Sequence, residues 1–181
     1  MDNLLQLYKY FSKFVPAEVL QQSAVAVADG REAYNEIFTE IINNQADTQI
    51  SEIKKFVFSA NSEFVSDNIR NSNELFLFVE FGEAEYNPEN TPMLTQKIAV
   101  TIAQEYAMRN NDNLSELLRS NVCKNILMQI VQKIQKDYND GCDDCLSVKF
   151  PARLMPVEPK TFFGNLGWTA FLDIDFEIVT D

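Results

Sequence analysis

Histidine is absent from this chain of 181 residues. Its absence excludes Ser–His–Asp and Cys–His catalysis, histidine-ligated zinc and the side chain that most often moves protons near neutral pH. The sequence also lacks the phosphate-binding patterns G-x-x-x-x-G-K-[ST] and G-x-G-x-x-G and the esterase pattern G-x-S-x-G. We therefore expect a protein that is not an enzyme and that uses no cofactor or metal. A histidine-free hydrolase is the less favoured alternative.

Basic residues are scarce, since 15 Lys and Arg stand against 27 Asp and Glu and the formal net charge is −12. Binding to the phosphates of nucleic acids or anionic lipids requires a basic surface, so we expect neither specific nucleic-acid binding nor membrane binding. No apolar run approaches the roughly 18 residues of a membrane span. The start Met1-Asp2-Asn3 lacks the basic region of a secretory signal. The sequence thus indicates a protein that is cytoplasmic when synthesised.

Cysteine occurs three times, as Cys123, Cys142 and Cys145. An odd number of cysteines without a secretory signal indicates a reducing compartment and free thiols. The spacing of Cys142 and Cys145 suits a structural turn, half of a metal site or a redox pair. Two aspartates lie between them and should raise the thiol pKa values, which favours the turn. Whether this pair binds a metal stays open.

Glycine and proline are also few, whereas 46% of the residues are hydrophobic, so the chain is expected to fold around a core. Apolar residues at helical spacing predict helices over 3–14, 16–28 and 32–43, and a short strand is expected within 53–60. We therefore predict a helical N-terminal segment over 1–60 and an α+β domain over 61–181, together forming one compact unit.

The second part of the chain predicts the order β-β-α-β-β. Apolar runs indicate strands over 75–81 and 97–108, although helix stays open for the latter, and period-two alternation predicts strands over 146–154 and 168–179. A broad apolar stripe predicts one long helix between the two strand pairs, over 113–138. Its members are Leu114, Leu117, Leu118, Val122, Ile126, Leu127, Ile130, Val131 and Ile134. The expected class is α+β, with an antiparallel sheet covered by this helix. Pro151 should mark an edge strand or a bulge.

The last predicted strand carries an acidic ladder, which we define as Asp173, Asp175 and Glu177 on alternate positions. Charges on a solvated strand face commonly protect a sheet from stray pairing. A second interpretation is that the ladder lines an assembly or channel, and a cation site is the third. Glu80, Glu83 and Glu85 extend the same surface only if the strand order brings them near.

The connection over 156–168 contains two adjacent phenylalanines, Phe162 and Phe163, and the only tryptophan, Trp168. Long ordered loops with exposed aromatic residues often bind partners. The alternative is that these three side chains fold back into the core. The residues alone leave both interpretations open.

The order of hairpin, long helix and two strands, ending in the run Gly167-Trp168-Thr169-Ala170-Phe171-Leu172-Asp173-Ile174-Asp175-Phe176, resembles tail terminator or head–tail completion proteins of tailed bacteriophages. The similarity extends from Glu74 to Val179. It implies a ring of identical subunits on the end of a tail tube, with itself and other tail or head–tail proteins as partners and the virion as its place. In such a ring the acidic ladder would face the lumen. The alternative function is a monomeric adaptor that grips a protein partner with the 156–168 loop.

Overall fold

A computed structural model describes residues 3–23, 32–43, 48–70, 74–88, 92–106, 112–141, 146–160 and 162–178 of the chain. The helices are α1 (Asn3–Ser12), α2 (Ala17–Ser23), α3 (Glu32–Asn43), α4 (Ser62–Ile69) and α5 (Asn113–Asp140). The strands are β1 (Lys55–Phe58), β2 (Phe76–Asn87), β3 (Met93–Glu105), β4 (Ser147–Val157) and β5 (Asn165–Glu177). The protein is α+β, with the long helix α5 packed on a five-stranded sheet.

The sheet has the strand order β1-β2-β3-β5-β4. Strands β2, β3, β5 and β4 pair antiparallel, whereas β1 pairs parallel with β2. The predicted antiparallel sheet is therefore wrong at this edge, and the sheet is mixed. The physical reason is the helix α4, which carries the chain from β1 back to the start of β2, as a parallel pair requires.

Several predicted elements are confirmed with shifted ends. Strand β3 pairs on both sides, which decides the open choice at 97–108 in favour of a strand. Helix α5 begins after Asp112, whose carboxylate accepts a 2.7 Å hydrogen bond from the Ser115 backbone N–H, and it ends at Gly141 in the left-handed region. Among the N-terminal helices, α3 has the predicted bounds and α1 ends at Ser12. Helix α2 is described only to Ser23.

Strand β4 is an edge strand whose pairing register with β5 shifts between Lys149 and Arg153. Pro151 lies within that shift, as its lack of a backbone N–H predicts. Strand β5 begins three residues earlier than expected because Asn165, Leu166 and Gly167 already pair with β3. The predicted long loop over 156–167 is consequently a shorter connection between Val157 and Asn165.

The sheet has two unlike faces, which follow from the alternation of side chains along each strand. The helix face packs against α5 and α1 and holds most of the core. Its buried residues include Leu77, Val79, Ile98, Val100, Ile102, Ala170, Leu172, Ile174 and Phe176. On the other face, which we call the open face, α4 covers the part formed by β1 and β2. The second buried cluster lies there, with Val57, Val65, Ile69, Phe76, Phe78 and Ala103.

Helix α1 joins the same core as α5 through a buried polar contact. The Tyr10 hydroxyl donates a 2.8 Å hydrogen bond to the carboxylate of Asp137 near the end of α5. Lys133, one turn earlier, forms an ion pair with the same carboxylate. A buried carboxylate is tolerated because both partners compensate it. This contact fixes the predicted N-terminal helical segment against the α+β part of the chain.

Candidate interaction surfaces

Helix α5 has apolar residues on two opposite sides, and the sheet covers one of them. Each residue advances about 100° around a helix, so positions 114, 118 and 122 lie opposite positions 123, 127, 130 and 134. Cys123, Leu127, Ile130 and Ile134 are buried against the helix face of the sheet. The predicted single stripe is wrong for its first four members, which point away from the core. The apolar residues change sides along α5, from Leu114, Leu118 and Val122 in the first half to Leu127, Ile130 and Ile134 in the second.

We call these four members the leucine stripe. Their exposed fractions are 65% for Leu114, 61% for Leu117, 58% for Leu118 and 46% for Val122. Full burial of such a side chain contributes about 1.5–3 kcal/mol, so exposing four neighbours leaves a large favourable term unused in the single chain. Contiguous apolar surface of this kind typically marks an interaction site.

Polar contacts hold the first half of α5 in place under the stripe. The Trp168 indole N–H donates a 2.9 Å hydrogen bond to the Ser120 hydroxyl, and the Lys124 ammonium lies 4.8 Å from the centre of the same ring. On the other flank, the Tyr106 hydroxyl donates to the Glu116 carboxylate at 3.1 Å. The stripe therefore projects from a helix that is anchored to the ends of β3 and β5.

The opposite side of the molecule exposes apolar residues over β4 and β5, where α4 does not reach. Phe171 is 44% exposed and Met155 is 39% exposed, and both lie on the open face. We call these two residues the sheet patch. Arg153 pairs with Phe171 across the strands and is also exposed. Beside Met155 on the same face, the hydroxyls of Thr101 and Thr169 form a buried 2.7 Å hydrogen bond. Sequence reasoning missed the patch because exposure here depends on strand order.

The connection between β4 and β5 separates its two phenylalanines. Phe162 packs against the second cluster, with ring centres 6.3 Å from Phe76 and 6.2 Å from Phe78. Phe163 is exposed, with the Arg70 guanidinium 5.9 Å from its ring centre. Its φ of 51° lies in the left-handed region, which is strained for a bulky side chain. Backbone strain at an exposed aromatic residue is typical of a functional contact site.

Trp168, the third predicted contact residue, lies on the helix face, apart from the two phenylalanines. It is half-buried against the main cluster beneath α5. The amide of Asn165 fixes the turn instead, because it donates to the backbone carbonyls of Phe162 at 3.2 Å and Phe163 at 3.3 Å. The three aromatic residues therefore do not form one surface.

The acidic ladder lies on the open face, beyond the sheet patch toward the end of β5. Its middle member, Asp175, is mostly buried and forms a 2.9 Å ion pair with Lys149. The Thr95 hydroxyl donates a 2.5 Å hydrogen bond to the same oxygen. Asp173 is exposed and pairs in register with Lys97 on one side and Lys149 on the other. The ladder is thus partly neutralised by lysines from both neighbouring strands.

Strand β2 extends the acidic surface across β3. The Lys97 ammonium forms exposed ion pairs with Glu83 at 3.1 Å and Glu85 at 2.6 Å. The hydrogen bond from Lys97 lowers the pKa of the Glu85 carboxyl, and the bonds to both glutamates raise the pKa of the Lys97 ammonium. The strand order therefore places Glu83 and Glu85 one strand away from the ladder, with Lys97 between them.

The described part of the chain also contains carboxylates and a thiol that could in principle bind a metal or react. Within it, no three or more Cys, Asp or Glu side chains converge closely enough to hold a metal ion. Cys123 is buried, and burial raises the pKa of its thiol to about 12. Cys142 and Cys145 lie outside the described residues. None of the helices described is long and apolar enough to cross a membrane.

The sequence matches no protein-family model and no curated protein. The fold is therefore the basis on which the protein is classified. It is an α+β chain with a mixed five-stranded sheet and α5 packed on one face. Its most distinctive surface features are the leucine stripe and the sheet patch, which lie on opposite sides of that sheet.

Proposed function

We propose that this protein is a non-enzymatic assembly subunit that forms a ring of identical copies, of the kind that completes the tail of a bacteriophage. The observation that carries the proposal is the leucine stripe on α5. Stable subunits of an assembly keep such surfaces apolar because a neighbour covers them. The element order from β2 to β5 supports the tail-completion form by resemblance, which is an argument from analogy.

The acidic ladder supports the same proposal through its charge. Carboxylates on a ring lumen repel a passing DNA duplex, which lets the duplex slide without binding. Asp173 and Glu177 are exposed and suit this role directly. Asp175 is held by Lys149 and Thr95 and contributes less to the field.

The experiment is a measurement of mass and shape on the purified chain. Sedimentation velocity at increasing protein concentration should detect a closed oligomer, and electron microscopy should find annular particles. A ring made by apolar contacts should survive a rise in salt, because screening acts on charges. A monomer at every concentration, in low and high salt alike, would contradict the proposal.

The monomeric adaptor is the second candidate, and Phe163 is the observation that favours it. This residue is exposed and strained in the turn between β4 and β5, within the predicted 156–168 loop. An adaptor that uses this turn should remain a monomer and should lose its partner on Phe163→Asn. Asparagine tolerates the left-handed backbone, so this change tests the side chain without straining the turn.

A further inference from the structure

We infer that the copies associate head to tail, with the leucine stripe of one copy packed on the sheet patch of the next. This inference rests on the proposed function, since it specifies the contact by which the subunits join. The occupant of each surface is a second copy of this chain. Neither surface belongs to the core of the single subunit, and one contact covers both.

The two surfaces occupy matching positions on opposite sides of the subunit. The first half of α5 is anchored at Trp168 and Ser120, on the helix face of the sheet. Phe171 lies three residues further along β5 on the open face, and Met155 pairs with Thr169 beside it. Stacking copies in one direction therefore brings a helix onto a bare sheet face, which is a standard layer arrangement.

The charges beside the two surfaces are complementary. Exposed carboxylates of Asp112 and Glu116 lie at the start of α5, and the backbone hydrogen bond from Ser115 lowers the pKa of the Asp112 carboxyl. On the open face, Arg153 pairs with Phe171 and Arg70 lies against Phe163.

Other charges also lie beside the two surfaces. Arg119 donates to the Glu105 carbonyl, and Lys124 lies over Trp168. On the open face, the exposed Asp173 lies in register between Lys97 and Lys149. The ion pairs of these lysines are formed with other carboxylates, Glu83 and Glu85 for Lys97 and Asp175 for Lys149. The carboxylates at the start of α5 and the guanidinium of Arg153 beside Phe171 favour the head-to-tail direction of the contact.

Pairing through the sheet edges is a poorer route to assembly. Edge strand β4 is interrupted by its register shift, and Pro151 has no N–H to donate there. The other edge, β1, is only four residues long. Pairing of one leucine stripe with another would leave the sheet patch uncovered. A contact between two different surfaces repeats from copy to copy and closes into a ring when the rotation allows.

The test uses two variants that each destroy one half of the contact. Leu118→Glu disrupts the stripe and Phe171→Glu disrupts the patch, and each alone should weaken self-association by at least about thirtyfold. Mixed together, the two variants retain one intact stripe and one intact patch. The mixture should therefore form a one-to-one heterodimer and nothing larger in sedimentation velocity or native mass spectrometry.

The matched control is Tyr138→Glu, which places the same charge on an exposed apolar residue at the far end of α5. It should assemble like the wild type. Circular dichroism and thermal unfolding confirm that each variant folds. Leu118→Gln and Phe171→Ser replace any charged variant that does not fold.

Two results would overturn the inference while leaving the proposed function intact. One is a dimer or larger species of Phe171→Glu alone, which would indicate that stripes pair with each other. The other is a wild-type oligomer whose two variants fail to combine when mixed. A wild-type chain that stays monomeric would overturn both the proposed function and the inference.

Discussion

The two faces of the sheet differ in how completely their apolar residues are covered. The helix face is closed by α5 and α1, and its core residues are almost fully buried. Among the described residues, α4 and Phe162 cover part of the open face, which exposes Phe171 and Met155 next to a ladder of charges. The fold of the single subunit is therefore completed on one face. We assign completion of the other face to a neighbouring copy.

The largest effect should come from truncating the closed side of α5. Leu127→Ala removes a fully buried side chain and should lower the free energy of unfolding by about 2–5 kcal/mol. Leu118→Ala, on the opposite side of the same helix, should change it by less than about 0.5 kcal/mol. Urea unfolding at a concentration where the chain is monomeric measures both. Equal losses would remove the distinction between the two sides.

Substitution of Gly167 tests how closely β3 and β5 approach each other at this position. A Cβ at this position would lie 2.1 Å from the Ile102 carbonyl oxygen and 2.6 Å from the Ala103 Cα, so β3 and β5 would have to separate. Gly167→Ala should cost about 1–3 kcal/mol of stability, measured by thermal unfolding. Gly82→Ala is the matched control, because its Cβ would meet only the Lys97 carbonyl oxygen at an ordinary 3.5 Å. A harmless Gly167→Ala would contradict the close strand approach.

Tyr10 tests the polar contact within the closed face. Tyr10→Phe removes the hydrogen bond to the buried Asp137 carboxylate and should cost about 1–2 kcal/mol near neutral pH. Tyr138→Phe, on an exposed ring, should cost nothing measurable.

The same contact predicts a pH dependence. Burial, followed by the hydrogen bond and the charge of Asp137, raises the pKa of the Tyr10 hydroxyl above its ordinary value. The folded state therefore keeps a proton that the unfolded state loses above about pH 10. The stabilisation is complete below that pH and declines as the pH rises. The difference between wild type and Tyr10→Phe should shrink accordingly in urea titrations, and a constant difference would contradict this assignment.

The sequence predicts the elements whose pattern is local. Alternation along β5 correctly separates Leu172 and Ile174 from Asp173 and Asp175, and the helix predicted over 113–138 matches α5 to within two residues. Strand order depends on pairing between distant segments, so the position of Lys97 between two acidic groups could not be predicted. Helix α4 was missed because its eight residues carry too few apolar positions to define a period.

The candidate surfaces were harder to predict than the fold. The predicted stripe grouped Leu118 with Leu127, although nine residues turn a helix to its opposite side, so the helical period itself separates the two. Phe171 was part of a predicted strand, but its exposure follows from where α4 ends, which no local pattern encodes. The sheet patch emerges only when the packing of the whole subunit is known.

The most direct measurement is a crosslink from α5. A photo-activatable side chain is placed at position 118, and labelled and unlabelled copies are mixed so that mass spectrometry separates links between copies from links within one. We expect links between copies that join position 118 to peptides of β4 and β5 around Met155 and Phe171. Links from one α5 to another, or the absence of links between copies, would contradict the head-to-tail contact.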